Sequence, residues 1–393
     1  MIGLFTFDGP LYKDKNGVYC NVTLTNEMFN RYFHVVDKLI VAVRTYRLDK
    51  DYVELNMKPL NLDNMIIYEV QNLNSPKGLL WEKGKYKKQI KEIVKDCDLI
   101  FARMPSTTSD VMLSVARALG KPYLVEVGGC AWDAFWNHGL IGKLIAPYMY
   151  WNLKKNVKNA SFASYVTKEF LQKRYPCSGE TCNCSNVYLQ SSNKTVLEER
   201  IAKIKSTNLS KVVFGQAVNS IDIKYKGEHI IVELMHKLRE KGIDPEFQIV
   251  GPGEGSLIKK VARKYSIENK VHFMGVLNKN EMYEWYKSID IYVQPSKQEG
   301  LPRSVIEAMS VGCPALGSNV AGIPELLSQD CLFDLNSKKQ MLETILNVFD
   351  KNVLVQMAND NFNRAKEYEI NIIEERRRSF FEKYRNLVVH CQN

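Results

Sequence analysis

Between residues 211 and 317, short apolar runs alternate with segments of helical period, and few architectures other than a parallel sheet wound with helices accept that alternation. The runs KVVFGQ (211–216), EFQIV (246–250), VHFMG (271–275), IDIYV (289–293) and CPALG (313–317) predict strands. Residues 229–241, 256–265, 279–288 and 302–311 carry the apolar spacing of helices between them. The first half repeats the pattern in pieces, with strands predicted at 38–44, 98–102, 123–127 and 160–165. A chain of 393 residues is longer than one core usually serves, so two doubly wound α/β domains are expected. The polar stretch 190–209 reads as the linker, with a helical pattern at 194–205 bridging the halves. The expected division is therefore 1–190, 191–370 and a C-terminal amphipathic helix, 371–393. That helix carries Phe380, Phe381 and Tyr384 on or near one face, and is expected to pack back on the first domain.

The net charge of +10 comes from basic residues scattered among acidic ones, without the basic helix or aromatic platform that nucleic-acid binding needs. The opening MIGLFTFDGP has no basic segment followed by a long apolar core, and no stretch reaches membrane-spanning length, so a cytoplasmic protein is expected. Nine cysteines at irregular spacing suit reduced thiols. Cys177, Cys182 and Cys184 form a C-x4-C-x-C cluster that lacks paired C-x2-C spacing and a nearby His, so no metal is expected there.

The stretch QPSKQEGLPRSVIEAM holds the most chemistry. Open parallel sheets bind ligands beyond the carboxyl ends of their strands, which is where PSKQEG falls. Pro302 suits the first turn of a helix, whose free N–H groups would form an anion site. Gly300 permits close backbone approach. Glu299 precedes the helix and Glu307 lies inside it. Each reads either as an ordinary helix charge or as a carboxylate accepting from vicinal hydroxyls, as a sugar or ribose would offer.

The run from Gln294 to Leu327 resembles the donor-binding segment of retaining glycosyltransferases of family 4, which have the GT-B fold of two Rossmann-like domains facing a central cleft. Their two glutamates with seven residues between them are matched by Glu299 and Glu307. Lys226–Gly227, IVGPGEG and VHFMG follow the same order and spacing, and the EGLPR form with VEVGGCAWDAFWNHG is similar to bacterial enzymes that assemble capsular or other surface polysaccharides. The resemblance implies that Glu307 binds the ribose, while Glu299 with Gly300, Leu301, Pro302 and Arg303 holds the donor sugar. Lys226 would pair with the diphosphate, and Val276 and Leu277 would line the base pocket. Gly215, in the first strand of the second domain, would adjoin the donor, and Gly17, in KDKNGVYC, would match the family's N-terminal glycine loop that approaches the donor phosphates. The family's arginine after that first-strand glycine is replaced by Gln216, leaving Lys226, Lys224 or Arg303 to neutralise phosphate. IVGPGEG lacks the full dinucleotide fingerprint and reads as a family-typical turn.

On the acceptor side the family's usual histidine is replaced by Gly128–Gly129. His138 stands as its substitute, and Arg103 and Asp133 as further candidates. The implied reaction is transfer of a hexosyl-type sugar with retention from a nucleotide sugar, UDP being the expected carrier. The acceptor would be a saccharide or a polyprenyl-diphosphate-linked saccharide. Neither a metal nor a cofactor is required. A sugar-nucleotide epimerase and a non-catalytic nucleotide-sugar-binding subunit are the alternatives. GLIGKLIAPYMYWNLKKNVKN mixes apolar, aromatic and basic residues. It is either a buried helix or an interfacial one making peripheral contact with the cytoplasmic face of the inner membrane.

Overall fold

The computed structural model describes every residue except Asn56, Pro76, His138 and Asn393. The chain divides into two compact units, one of Met1–Cys184 with Glu374–Asn393 and one of Ser185–Ile373.

The second unit is built on a six-stranded parallel sheet ordered Val271–Gly275, Glu246–Val250, Val213–Ala217, Ile291–Gln294, Ala315–Ser318, Leu332–Phe333. Strand order reverses between Val213–Ala217 and Ile291–Gln294, leaving a crevice at their carboxyl ends. Runs such as IYVQ are buried at every position because helices cover both faces. Five of these strands were predicted. The helix Lys279–Ser288 starts sharply because Asn278 Oδ1 accepts from the backbone N of Asn280 and Glu281 while Glu281 Oε2 accepts from Asn278 N. That fixed start sets the direction in which Met282 and Tyr286 point, one turn apart.

The helix Lys194–Ser206, expected as a bridge, packs inside this unit. Its Arg200 is 3% exposed and donates to the carbonyls of Val311, Ile289 and Tyr286. Polarity at the sequence level disguised a buried cation satisfied by main-chain acceptors.

The first unit also has a largely parallel sheet, running Met65–Val70, Lys38–Arg47, Ile2–Lys13, Leu99–Met104, Leu124–Val127, Phe162–Tyr165, Glu180–Asn183. Its order reverses beside Ile2–Lys13, the central strand that the sequence did not predict. Gly9–Pro10 interrupts the apolar run, and the ladder to Lys38–Arg47 shifts register between Phe7 and Leu11 to accommodate it. The C-terminal helix Ile370–Gln392 belongs to this unit from Glu374 onward. Phe380, Phe381 and Tyr384 are buried. Phe381 stacks on Tyr32 at 5.6 Å, and Tyr384 Oη accepts from Ile100 N at 3.0 Å.

Candidate functional site

A cavity of about 470 Å³ opens at the carboxyl ends of the second unit's strands. Lys226, Val276, Leu277, Glu299, Arg303 and Glu307 all line it. Two backbone approaches assemble its mouth. Gly227 adopts φ +84°, and a Cβ there would lie 2.1 Å from the Pro295 carbonyl oxygen. Lys297 N donates to Tyr225 O at 2.8 Å. The turn after the first strand and the loop after the fourth are thereby locked together, and Lys226 Nζ donates to Glu299 Oε1 at 2.8 Å.

Glu299 is further held by Gln294, whose amide donates to Glu299 Oε1 at 2.9 Å and to Ser296 Oγ at 2.8 Å, while its Oε1 accepts from Tyr292 Oη at 2.9 Å. Gln294 is buried at the strand end, so this chain of bonds fixes the carboxylate before any ligand arrives. Gln216, which stands where the arginine was expected, is also buried. Its Nε2 donates to the Lys226 carbonyl at 3.0 Å, so it supports the lysine turn rather than reaching the cavity.

The helix expected at 302–311 runs Arg303–Ser310, with Pro302 in the extended cap position at φ −71°. No side chain among the described residues caps this end, and Arg303 and Ser304 line the cavity. The free N–H groups of the first turn therefore remain available to an anion. Glu307 sits one turn further in and accepts from Tyr286 Oη at 2.9 Å. Burial pushes the Glu307 carboxyl up, opposed by that hydrogen bond and by the charges of Arg303 and Lys279. At one end the cavity thus offers a carboxylate steadied by a phenol, at the other a lysine–carboxylate pair, with cationic and N–H donors between.

Leu301 and Pro302 complete the lining, and the Gly300 carbonyl accepts from Gly322 N at 3.1 Å. Gly215 has a different role from the one expected. It does not line the cavity, and a Cβ on it would come within 2.5 Å of Ile289 and 2.9 Å of Trp285, so it is a packing glycine beneath the helix Lys279–Ser288. Lys224 is exposed and outside the lining. In the glycine-rich turn, Asp222 accepts from Glu254 N at 3.1 Å and Gly255 N at 2.9 Å, which occupies the N–H groups a phosphate would need. Sequence reasoning missed Gln294, Tyr286 and Tyr292, although Gln294 stands directly before the loop it organises.

The remaining candidates lie in the first unit. Gly17, at φ +84°, turns the hairpin between Ile2–Lys13 and Tyr19–Asn21, where Asp14 Oδ1 accepts from Asn16 N and Val18 N. Arg103 was expected to face an acceptor, but it lies in an ion cluster with Glu126, its Nε 3.5 Å from Oε2. Arg31 Nη2 bonds both Glu126 oxygens at 2.9 and 3.0 Å, and Tyr32 Oη donates at 2.8 Å. Burial raises the Glu126 carboxyl, but the charges of Arg31 and Arg103 outweigh it and hold the group below its ordinary value. Asp133, on the helix Ala131–Trp136, is 3.9 Å from Arg174 Nη2. His138 lies outside the described residues. No cluster suited to a metal occurs among the described residues, and Cys182 and Cys184 are free thiols 3.8 Å apart.

Residues 217–367 match the family model described as glycosyl transferases group 1. The chain is 31% identical over 333 residues to Protein CapJ of Staphylococcus aureus, across 84% of this chain and 82% of that protein. It is 31% identical over 113 residues to the putative colanic acid biosynthesis glycosyltransferase WcaL of Escherichia coli strain K12, covering 27% of this chain and 28% of the relative. Among solved structures, Anabaena HepE in complex with UDP and glucose superposes with a TM-score of 0.61 at 16% identity, over 95% of this chain and 97% of the other.

Proposed function

The chain belongs to the group 1 glycosyltransferases of family 4, retaining hexosyltransferases of GT-B fold, and on that premise we propose that it transfers a hexosyl-type sugar from a UDP-sugar during assembly of a bacterial surface polysaccharide. The acceptor in this reading is a saccharide or a polyprenyl-diphosphate-linked saccharide. One observation carries it: Lys226, Glu299, Arg303 and Glu307 line a single cavity at the point where strand order reverses. HepE, whose fold is similar, holds UDP and glucose, and WcaL is named for colanic acid biosynthesis.

Glu307 then accepts from the ribose hydroxyls and Glu299 from the donor sugar, with Val276 and Leu277 beside the base. As the bond from the anomeric carbon to the diphosphate oxygen breaks, its electron pair stays on that oxygen. Lys226, Arg303 and the open N–H groups of the helix Arg303–Ser310 offset the charge that appears. The acceptor hydroxyl attacks from the same face and its proton passes to the departing phosphate, which preserves configuration. The first unit is the acceptor side in this scheme. Asp133 is its remaining described candidate, since Arg103 is engaged by Glu126.

A thermal-shift series with UDP-, GDP-, ADP- and dTDP-sugars tests the reading, because a ligand that prefers the folded state raises the midpoint. The UDP-sugar is expected to give the largest rise and Glu307→Ala to abolish it. A midpoint indifferent to all four would overturn the assignment.

A further inference from the structure

The helix Gly139–Lys158 has one face buried through Gly142, Ala146, Met149, Leu153, Asn156 and Val157. Its opposite face is apolar as well. Leu140, Ile141, Leu144, Tyr148 and Trp151 are exposed by 81, 74, 82, 59 and 63%, and their spacing places them in one stripe, directly away from the buried residues. Scattered exposed apolar residues need no explanation, but five consecutive turn-to-turn neighbours form a patch.

Charge identifies what the patch fits. From residue 134 to residue 168 there is no Asp or Glu, while the helix itself carries Lys143, Lys154, Lys155 and Lys158. Lys155 and Lys158 continue the apolar stripe along the same side of the helix, and Lys143 and Lys154 flank it. Lys154 Nζ lies 5.2 Å from the Trp151 ring centroid, and Lys143 Nζ 5.5 Å from that of Trp136, which is itself 39% exposed. A protein interface core is depleted in lysine. Aliphatic insertion, aromatic rings at the boundary and lysines free of carboxylates are the demands of a negatively charged bilayer surface.

We propose that the outward face of this helix docks on an anionic lipid bilayer. The helix lies in the headgroup plane, with Leu140, Ile141 and Leu144 below the phosphates, Tyr148 and Trp151 at their level, and the four lysines of the helix reaching lipid phosphates by extending their side chains.

Flotation of the full chain with vesicles of phosphatidylcholine alone, and with vesicles containing phosphatidylglycerol, tests this. The wild type is expected to float with the phosphatidylglycerol vesicles, less so as salt rises, and to show a blue-shifted tryptophan emission that Trp151→Phe diminishes. Leu144→Glu and the pair Lys155→Glu with Lys158→Glu are each expected to lower partitioning about tenfold. These positions are exposed, and the thermal midpoint with UDP reports in the same samples that the variants are folded. Equal recovery with both vesicle types at low salt would overturn the proposal, as would Leu144→Glu floating like the wild type. So would light scattering that shows a dimer dissolved by Leu144→Glu, together with no vesicle binding by the wild type, for that would make the face a contact between two copies.

Discussion

Lys226 and Glu299 are 73 residues apart, yet their side chains meet at 2.8 Å across the mouth of the second unit's cavity. Both are mostly shielded, at 14 and 12% side-chain exposure. The contact is enforced by the backbone: Gly227 against Pro295 and Lys297 N on Tyr225 O bring the two turns together whether or not the side chains bond. The lysine charge is therefore held at the cavity before any ligand arrives, with Glu299 as its partner.

Lys226→Ala should lower kcat on the order of a hundredfold, as loss of one pre-positioned electrostatic donor does. Lys226→Arg should restore part of the rate. Steady-state kinetics with the nucleotide sugar that gives the largest thermal shift provides the readout, and an unchanged kcat in Lys226→Ala would remove the lysine from the mechanism.

Tyr286→Phe removes the phenol that donates to Glu307 without opening a cavity. A hydrogen bond to a carboxylate contributes about 1.5–3 kcal/mol. Part of that should appear as a donor KM raised roughly tenfold, with kcat nearly unchanged. A fall in kcat at constant KM would place Tyr286 nearer the reacting carbon than this geometry allows.

Gly215→Ala and Gly227→Ala should behave differently. The first forces a methyl group against Ile289 and Trp285, and is expected to lower Tm while donor affinity in the folded protein stays close to that of the wild type. The second adds strain at φ +84° and a clash with Pro295 O, so donor binding should be lost together with about 2 kcal/mol or more of stability. Calorimetric melting with and without UDP separates the two patterns.

Glu228 follows Gly227 directly, is 1% exposed, and has an Oε1 without a hydrogen-bond partner among the described residues. Burial pushes its carboxyl up to about 7. An acid whose folded pKa is raised destabilises the native state as pH climbs from the unfolded value toward the folded one. Its contribution is neutral below about pH 4.5 and fully unfavourable above about pH 7. Glu228→Gln should therefore melt with the wild type near pH 4 and be more stable by about 2–3 kcal/mol near pH 8. A stability difference independent of pH would show that folding leaves the acidity of this carboxyl unchanged.

The second unit was legible because its strands are short, apolar and separated by helices of clear period, and because Glu299 and Glu307 stand with seven residues between them on the loop and helix after one of those strands. The first unit was harder, since its central strand Ile2–Lys13 contains Asp8, Gly9 and Pro10. Polar residues that act through burial left no signal: Gln294 steadies Glu299, Gln216 holds the Lys226 turn, and Glu126 gathers Arg31 and Arg103, and none of these pairings shows in hydrophobic period or in a motif. Gly215 misled for the opposite reason. A glycine at a strand position reads as ligand access, whereas here an isoleucine and a tryptophan require the space.

Arg200 ties the helix Lys194–Ser206 to three carbonyls: those of Ile289, between the helix Lys279–Ser288 and the central strand Ile291–Gln294, of Tyr286, in the helix that supports Glu307, and of Val311, after the helix that carries it. Removing that helix would strand those acceptors inside the unit. A fragment meant to carry the second unit's cavity should thus begin upstream of Lys194, at the Cys184–Ser185 junction, and one started at the first strand of the sheet is expected to be lost to proteolysis before it can be assayed.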